Sequence, residues 1–237
     1  MSRLLAISCA LESPAMPLRS LFCRLLAGVS LAGLSCGMAS AGEFTVVTYN
    51  VENLFDVDGF ALFRDYQQDE TGDPFTYTRR KLLTKIQHTA AVLKTLNAGA
   101  GPEVILLQEL EADFTPQSQV ADLEAFLRDT RGMTAEQMLT TQWQAEYAGL
   151  PSEAWLLKGL SDVGLVGYSV VTAPSKGGAA RMAHSNAVFS RFPVGEVQWH
   201  ALGQARDILE VTLDVGGHPL TVFVNHWKSG ASNAERE

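Results

Sequence analysis

The sequence predicts an α/β layered domain with a mixed sheet, and three observations predict it. Apolar strand-like runs alternate with an amphipathic helix in the first half of the globular part, and short strands follow one another in the second half. Between two of those strands Gly216-Gly217 is a two-residue hairpin signal, so part of the sheet is antiparallel.

In chain order, 44–51 (FTVVTYNV) is β-rich and apolar on both faces, as a buried central strand should be. The stretch 52–77 is polar, with Gly59, Gly72 and Pro74, and reads as a loop over that strand's end. A helix is predicted over 78–97, with Leu82, Ile86, Ala90, Leu93 and Leu96 as its buried stripe and Arg79, Arg80, Lys81 and Lys85 near its start. Gly99 to Pro102 ends it, and a short buried strand, 104–107, runs into Gln108-Glu109. A second helix is expected over 121–131, while 134–161 is ambiguous and partly helical. Strands are predicted at 165–172, 186–190, 194–200, 208–215 and 220–225, with a Gly- and Ala-rich loop at 174–180.

The first 41 residues are of another kind. Arg19 and Arg24 precede a small apolar run at 25–38, and Ala39-Ser40-Ala41 follows as a cleavage signal before Gly42. That order predicts a signal peptide and an exported, periplasmic or secreted product. Residues 1–15 read as an over-long start assignment, with Met16 as the start. An uncleaved anchor and a lipoprotein at Cys36 are the alternatives. All three cysteines (Cys9, Cys23, Cys36) lie in this leader, so residues 42–237 have no disulfide partner and no thiolate metal site. Removing three Arg and one Glu from 18 basic and 26 acidic residues leaves 15 against 25, a net charge of about −10. Such a balance excludes a module that holds nucleic acid by bulk charge. A polyanion would be met as a substrate, through a local patch or a bound metal.

Three predicted strands end in polar residues suited to metal-assisted hydrolysis: Asn50 on the first, Glu109 on the second, and Asn225, His226, Lys228 and Ser229 on the last. Pleating puts Phe44, Val46, Thr48 and Asn50 on one face, and Leu220, Val222, Val224 and His226 on another. Mg²⁺ keeps several waters, so one or two carboxylates plus substrate phosphate suffice, and Glu109 is a candidate for such a carboxylate. Asn50 offers a carbonyl oxygen to metal-bound water and an amide donor to phosphate, and His226 a donor for a phosphoryl oxygen. Taken singly, a strand-end Asn is more often a turn former, a Glu there is usually solvated, and a lone His usually packs.

Taken together, TYNVENLFD (48–56), RRKLLTKI (79–86), EVILLQELE (103–111), SNAVFSRFPV (185–194), RDILEVTL (206–213) and VFVNHWKSG (222–230) resemble the endonuclease/exonuclease/phosphatase superfamily. Its members include pancreatic-type deoxyribonuclease, abasic-site endonucleases, bacterial sphingomyelinases and inositol-phosphate phosphatases. The resemblance implies a four-layer α/β/β/α sandwich with mixed sheets, incomplete at the C-terminus, and a phosphodiesterase, foremost a nuclease, using Mg²⁺ with Mn²⁺ or Ca²⁺ as substitutes. It implies Glu109 and Asn50 as metal-site residues and His226 as a catalytic histidine. Asn225, Lys228, Ser229 and Arg206 would face substrate, Arg206 having an ion pair with a carboxylate as its other reading. Ser190 and Arg191 are either structural or substrate-facing. His88, His184, His200 and His218 match no motif. Members continue with an Asp-x-Asn motif and a terminal Asp-His pair, which the sequence to Glu237 does not contain, so this chain alone is expected to be inactive. A sphingomyelinase- or phosphatase-like hydrolase, or a non-catalytic exported binding protein, are the alternatives.

Overall fold

The computed structural model describes residues 4–10, 43–59, 77–113, 120, 122–172, 183–202 and 206–227. Two sheets stack against each other, and helices cover the far face of the larger one. The larger sheet has the order β1-β2-β3-β5-β4, built from Leu4–Ala10 (β1), Glu43–Leu54 (β2), Val104–Glu111 (β3), His184–Ser190 (β5) and Ser169–Thr172 (β4). Its β2–β3 pair is parallel and its other pairs are antiparallel, so the sheet is mixed as expected. The smaller sheet is an antiparallel meander of Val194–His200 (β6), Ile208–Val215 (β7) and His218–Val224 (β8). Gly216 and Gly217 join β7 to β8 with φ of 63° and 87°, the left-handed pair that a two-residue hairpin of this twist demands.

Pleating divides the core. Val47, Tyr49, Val51, Ile105 and Leu107 face the helices, and Phe44, Val104, Val188, Leu209, Val211, Val222 and Val224 fill the space between the sheets. Three layers of the expected four are therefore present among the described residues. The helix layer begins with α1, Arg79–Lys94, capped by Thr78, whose Oγ1 accepts the Lys81 N–H at 3.2 Å. Leu82, Ile86, Ala90 and Leu93 form its buried stripe as predicted, while Leu96, past the helix end, is only half-buried. Leu123–Asp129 (α2) lies inside the predicted second helix. The ambiguous stretch resolves into Ala135–Leu139 (α3), a 3₁₀ turn at Ala145–Gly149, and Ser152–Asp162 (α4). α4 buries Ala154, Trp155, Leu156, Leu157 and Leu160, so it is apolar nearly all round and shows no clean stripe in sequence.

One strand expectation needs correction. The stretch 165–172 is extended only over β4, because Gly164 and Gly167 take φ of 79° and 82° and turn the chain before it. Ahead of Met16, β1 pairs antiparallel with β2 from Leu4↔Tyr49 to Ala10↔Glu43. The rest of the leader, the loops 60–76 and 174–180, and Lys228 and Ser229 lie outside the described residues. No described helix is long and apolar enough to cross a membrane.

Candidate active site at the strand ends

The parallel strands β2 and β3 end side by side, and each ends in a bulge. The β2–β3 register shifts between Asn50 and Leu54, and the β3–β5 register shifts between Gln108 and Leu110. Glu52, Asn53 and Glu109 have φ of 52°, 64° and 65°, a left-handed region that side chains with a Cβ seldom adopt. Bulges of this kind re-aim a side chain. Strict alternation would send Glu109 to the helix face with Ile105 and Leu107. The bulge instead sends it to the face carrying Thr48 and Asn50. Gln108 faces the same way and donates to Thr48 Oγ1 at 2.9 Å.

Lys85 of α1 fastens the bulge of β2. Its Nζ donates to Val51 O at 3.2 Å and to Glu52 O. Partial burial holds that amine below the usual lysine range. The basic cluster at the start of α1 is thus partly structural: Arg79 stacks on Trp143 at 4.6 Å and Lys81 on Tyr77 at 5.1 Å.

On this frame Asn50, Glu109 and His226 converge on one oxygen. Asn50 Nδ2 donates to Glu109 Oε1 at 2.9 Å, and His226 Nε2 meets the same oxygen at 3.2 Å. Glu109 Oε2 accepts no hydrogen bond from the described residues. The His226 hydrogen bond, reinforced by Asn50, lowers the Glu109 pKa to about 2, so the carboxylate is an anion throughout the neutral range. His226 Nδ1 is buried with no partner among the described residues. The Asn50 carbonyl accepts the Glu52 N–H at 2.8 Å. Through these two contacts the Asn50 side chain is fixed to the turn after β2 and orients Glu109.

His184, which matches no sequence motif, belongs to this cluster. Arg206 Nη2 donates to His184 Nδ1 at 3.1 Å, so the ring proton sits on Nε2, which donates to Asn53 Oδ1. Burial, with the Arg206 charge beside it, lowers the His184 pKa to about 4 and keeps the ring neutral. Its ring lies 6.5 Å from that of His226. Arg206 therefore reaches the cluster through a histidine. Asn225 is half-buried beyond the end of β8 and makes none of these contacts. Ser190 and Arg191 lie at the opposite end of β5. Ser190 Oγ donates to Phe192 O at 2.9 Å, and Arg191 donates to Val166 O and stacks on Tyr168, so their place is structural.

Behind the site, Glu111 and Asp56 are both buried, and the Asp56 N–H donates to Glu111 Oε2 at 2.8 Å. Desolvation first, then repulsion from Asp58 and Asp113, raises the Glu111 pKa to about 8. A carboxyl raised on folding gives stability that is present in acid and lost as pH rises through the folded value. We expect Glu111→Gln, compared with wild type in urea melts at pH 5 and pH 8, to reduce the loss of stability between those pH values. An unchanged pH slope would rule out this carboxyl as its source.

No family model and no curated protein matches the chain. Among solved structures it is similar to an endonuclease/exonuclease/phosphatase family protein from Leptotrichia buccalis C-1013-b, with 16% identity and a TM-score of 0.41. That match covers 62% of this chain and 48% of the other, so it spans about half of that protein's length.

Proposed function

We propose that this chain carries the first part of a divalent-cation-dependent phosphodiesterase site of the endonuclease/exonuclease/phosphatase type, with nucleic acid as the preferred substrate. One observation carries the reading: an ionised Glu109, turned by a strained bulge to meet Asn50 and His226, keeps one carboxylate oxygen unengaged by the described residues at the ends of parallel strands. Strand ends are where α/β sheets assemble their sites.

The described residues hold no cluster of three or more acidic or histidine side chains able to cage a metal. Mg²⁺ keeps several waters and needs only one or two carboxylates, whereas zinc takes three or four protein ligands. Glu109 would hold it through Oε2. When bound, the cation supplies charge stabilisation for the phosphoryl oxygens. Asn50 keeps the carboxylate in place, and His226 offers its Nε2 hydrogen to a phosphoryl oxygen when substrate arrives. Arg206, steadied by the neutral His184, adds positive charge on the same side. Lys228, Ser229 and Asn225 remain proposed substrate contacts. Export to the periplasm or medium is proposed from the leader alone.

The test is Mg²⁺-dependent nicking of plasmid DNA by the product that includes any in-frame continuation past codon 237, together with Mn²⁺ titration of this chain. Cleavage abolished by EDTA is the expected result. Hydrolysis of sphingomyelin or a phosphomonoester with DNA untouched would move the substrate within the superfamily. Neither cleavage nor cation binding would leave the binding-protein alternative.

A further inference from the structure

The two halves of the site belong to different sheets. Asn50 and Glu109 sit on the larger sheet, whereas Arg206 and His226 flank strands of the smaller one, Arg206 just before β7 and His226 just after β8. Apolar burial between the sheets is non-directional, so a directional contact is what can fix their offset where the chemistry lies. Asn186 is that group. It stands on β5, in register with Gln108 beside Glu109, and it is 1% exposed. Its Nδ2 crosses the gap and donates to Asp207 O at 3.1 Å and to Val224 O at 3.2 Å. Those carbonyls lie one residue after Arg206 and two residues before His226.

The energetics argue for position over stability. Two neutral hydrogen bonds contribute only modestly to stability, and a buried polar atom left unpaired costs about as much as they give. Asn186 Oδ1 is such an atom, buried with no partner among the described residues. The balance is near zero, and an apolar residue of similar size would serve the core as well. What an apolar residue cannot do is hold both strand ends at a fixed offset from β3.

We propose that Asn186 is a positioning residue that clamps the ends of β7 and β8 to the larger sheet and so sets Arg206 and His226 against Glu109. The proposal rests on the phosphodiesterase reading only for its functional consequence. Asn186→Asp keeps the shape, removes both donors and places a carboxylate against two carbonyls. Asn186→Ser is the milder variant should the first fail to fold. In the full chain with labelled histidines, the wild type should show a nuclear Overhauser effect between the His184 and His226 rings, and titration with inorganic phosphate should perturb His226. Either variant should weaken that ring-to-ring effect and reduce phosphate affinity at least about tenfold (roughly 1.4 kcal/mol). A folded variant with both readouts unchanged would overturn the clamp, as would a wild type in which the two rings show no Overhauser effect. If substitution separates the rings in a chain that never binds phosphate, the clamp stands and the phosphodiesterase reading is refuted.

Discussion

Glu109→Gln should abolish cation-dependent cleavage by the product that includes any in-frame continuation, and should weaken Mn²⁺ binding to this chain by at least about tenfold (roughly 1.4 kcal/mol). The substitution changes almost nothing but charge. Gln keeps the length and an acceptor for Asn50 and His226, so the bulge and its neighbours have no reason to move. What goes is the anion, and with it the carboxylate on which Asn50 and His226 converge. A hard cation that retains most of its water depends on one such group. Loss of transition-state charge stabilisation of this kind costs a factor of about 10²–10³ even for a single neutral donor. Calorimetric titration and a plasmid assay together check it. A variant that binds Mn²⁺ as tightly as wild type removes Glu109 from the metal site, whatever happens to cleavage.

The largest stability effect is expected at Trp155. This side chain is fully buried in α4, and its indole meets Tyr147 edge to face with centroids 6.5 Å apart. It belongs to the core between the helices and the larger sheet, together with Leu82, Ile86 and Leu107. Trp155→Ala should cost about 3–5 kcal/mol, a large share of the ~5–15 kcal/mol that a domain has. Trp155→Phe should cost much less. The indole Nε1 is buried with no partner among the described residues, so removing it offsets part of the missing packing. Urea melts of both variants give the comparison. Equal destabilisation by Ala and Phe would mean that the indole edge, rather than its volume, holds the helices.

How legible each feature is in the sequence depends on what it rests on. The bounds of β7 are readable, because its alternation and the glycine pair between β7 and β8 are local signals. Asn50, Glu109 and His226 stand out as strand-end polar residues, and they do meet. The geometry by which they meet is not readable. Glu109 lies on the helix side by alternation, and only a left-handed residue inside an otherwise regular strand reverses that. No residue type announces such a bulge when glycine is not used. His184 escapes sequence reasoning for a related reason. Its partners, Arg206 and Asn53, lie 22 and 131 residues away in the chain, so only the antiparallel placement of β5 beside β3 brings them together. The one available signal is its place at the head of the SNAVFS strand, opposite the end of the QELE strand. Lys85 reads as part of a basic cluster, and nothing local distinguishes the one lysine that turns back to two carbonyls.

The pairing of β1 with β2 bears on the edge of the larger sheet. Seven residues ahead of Met16, Leu4 to Ala10, lie against Glu43 to Tyr49, immediately beyond the expected cleavage point. In this arrangement β1 is the edge strand of the larger sheet and covers the outer rim of β2. If the leader is cleaved after Ala41, the outer rim of β2 loses that neighbour and exposes a row of backbone donors and acceptors to any strand that can reach it.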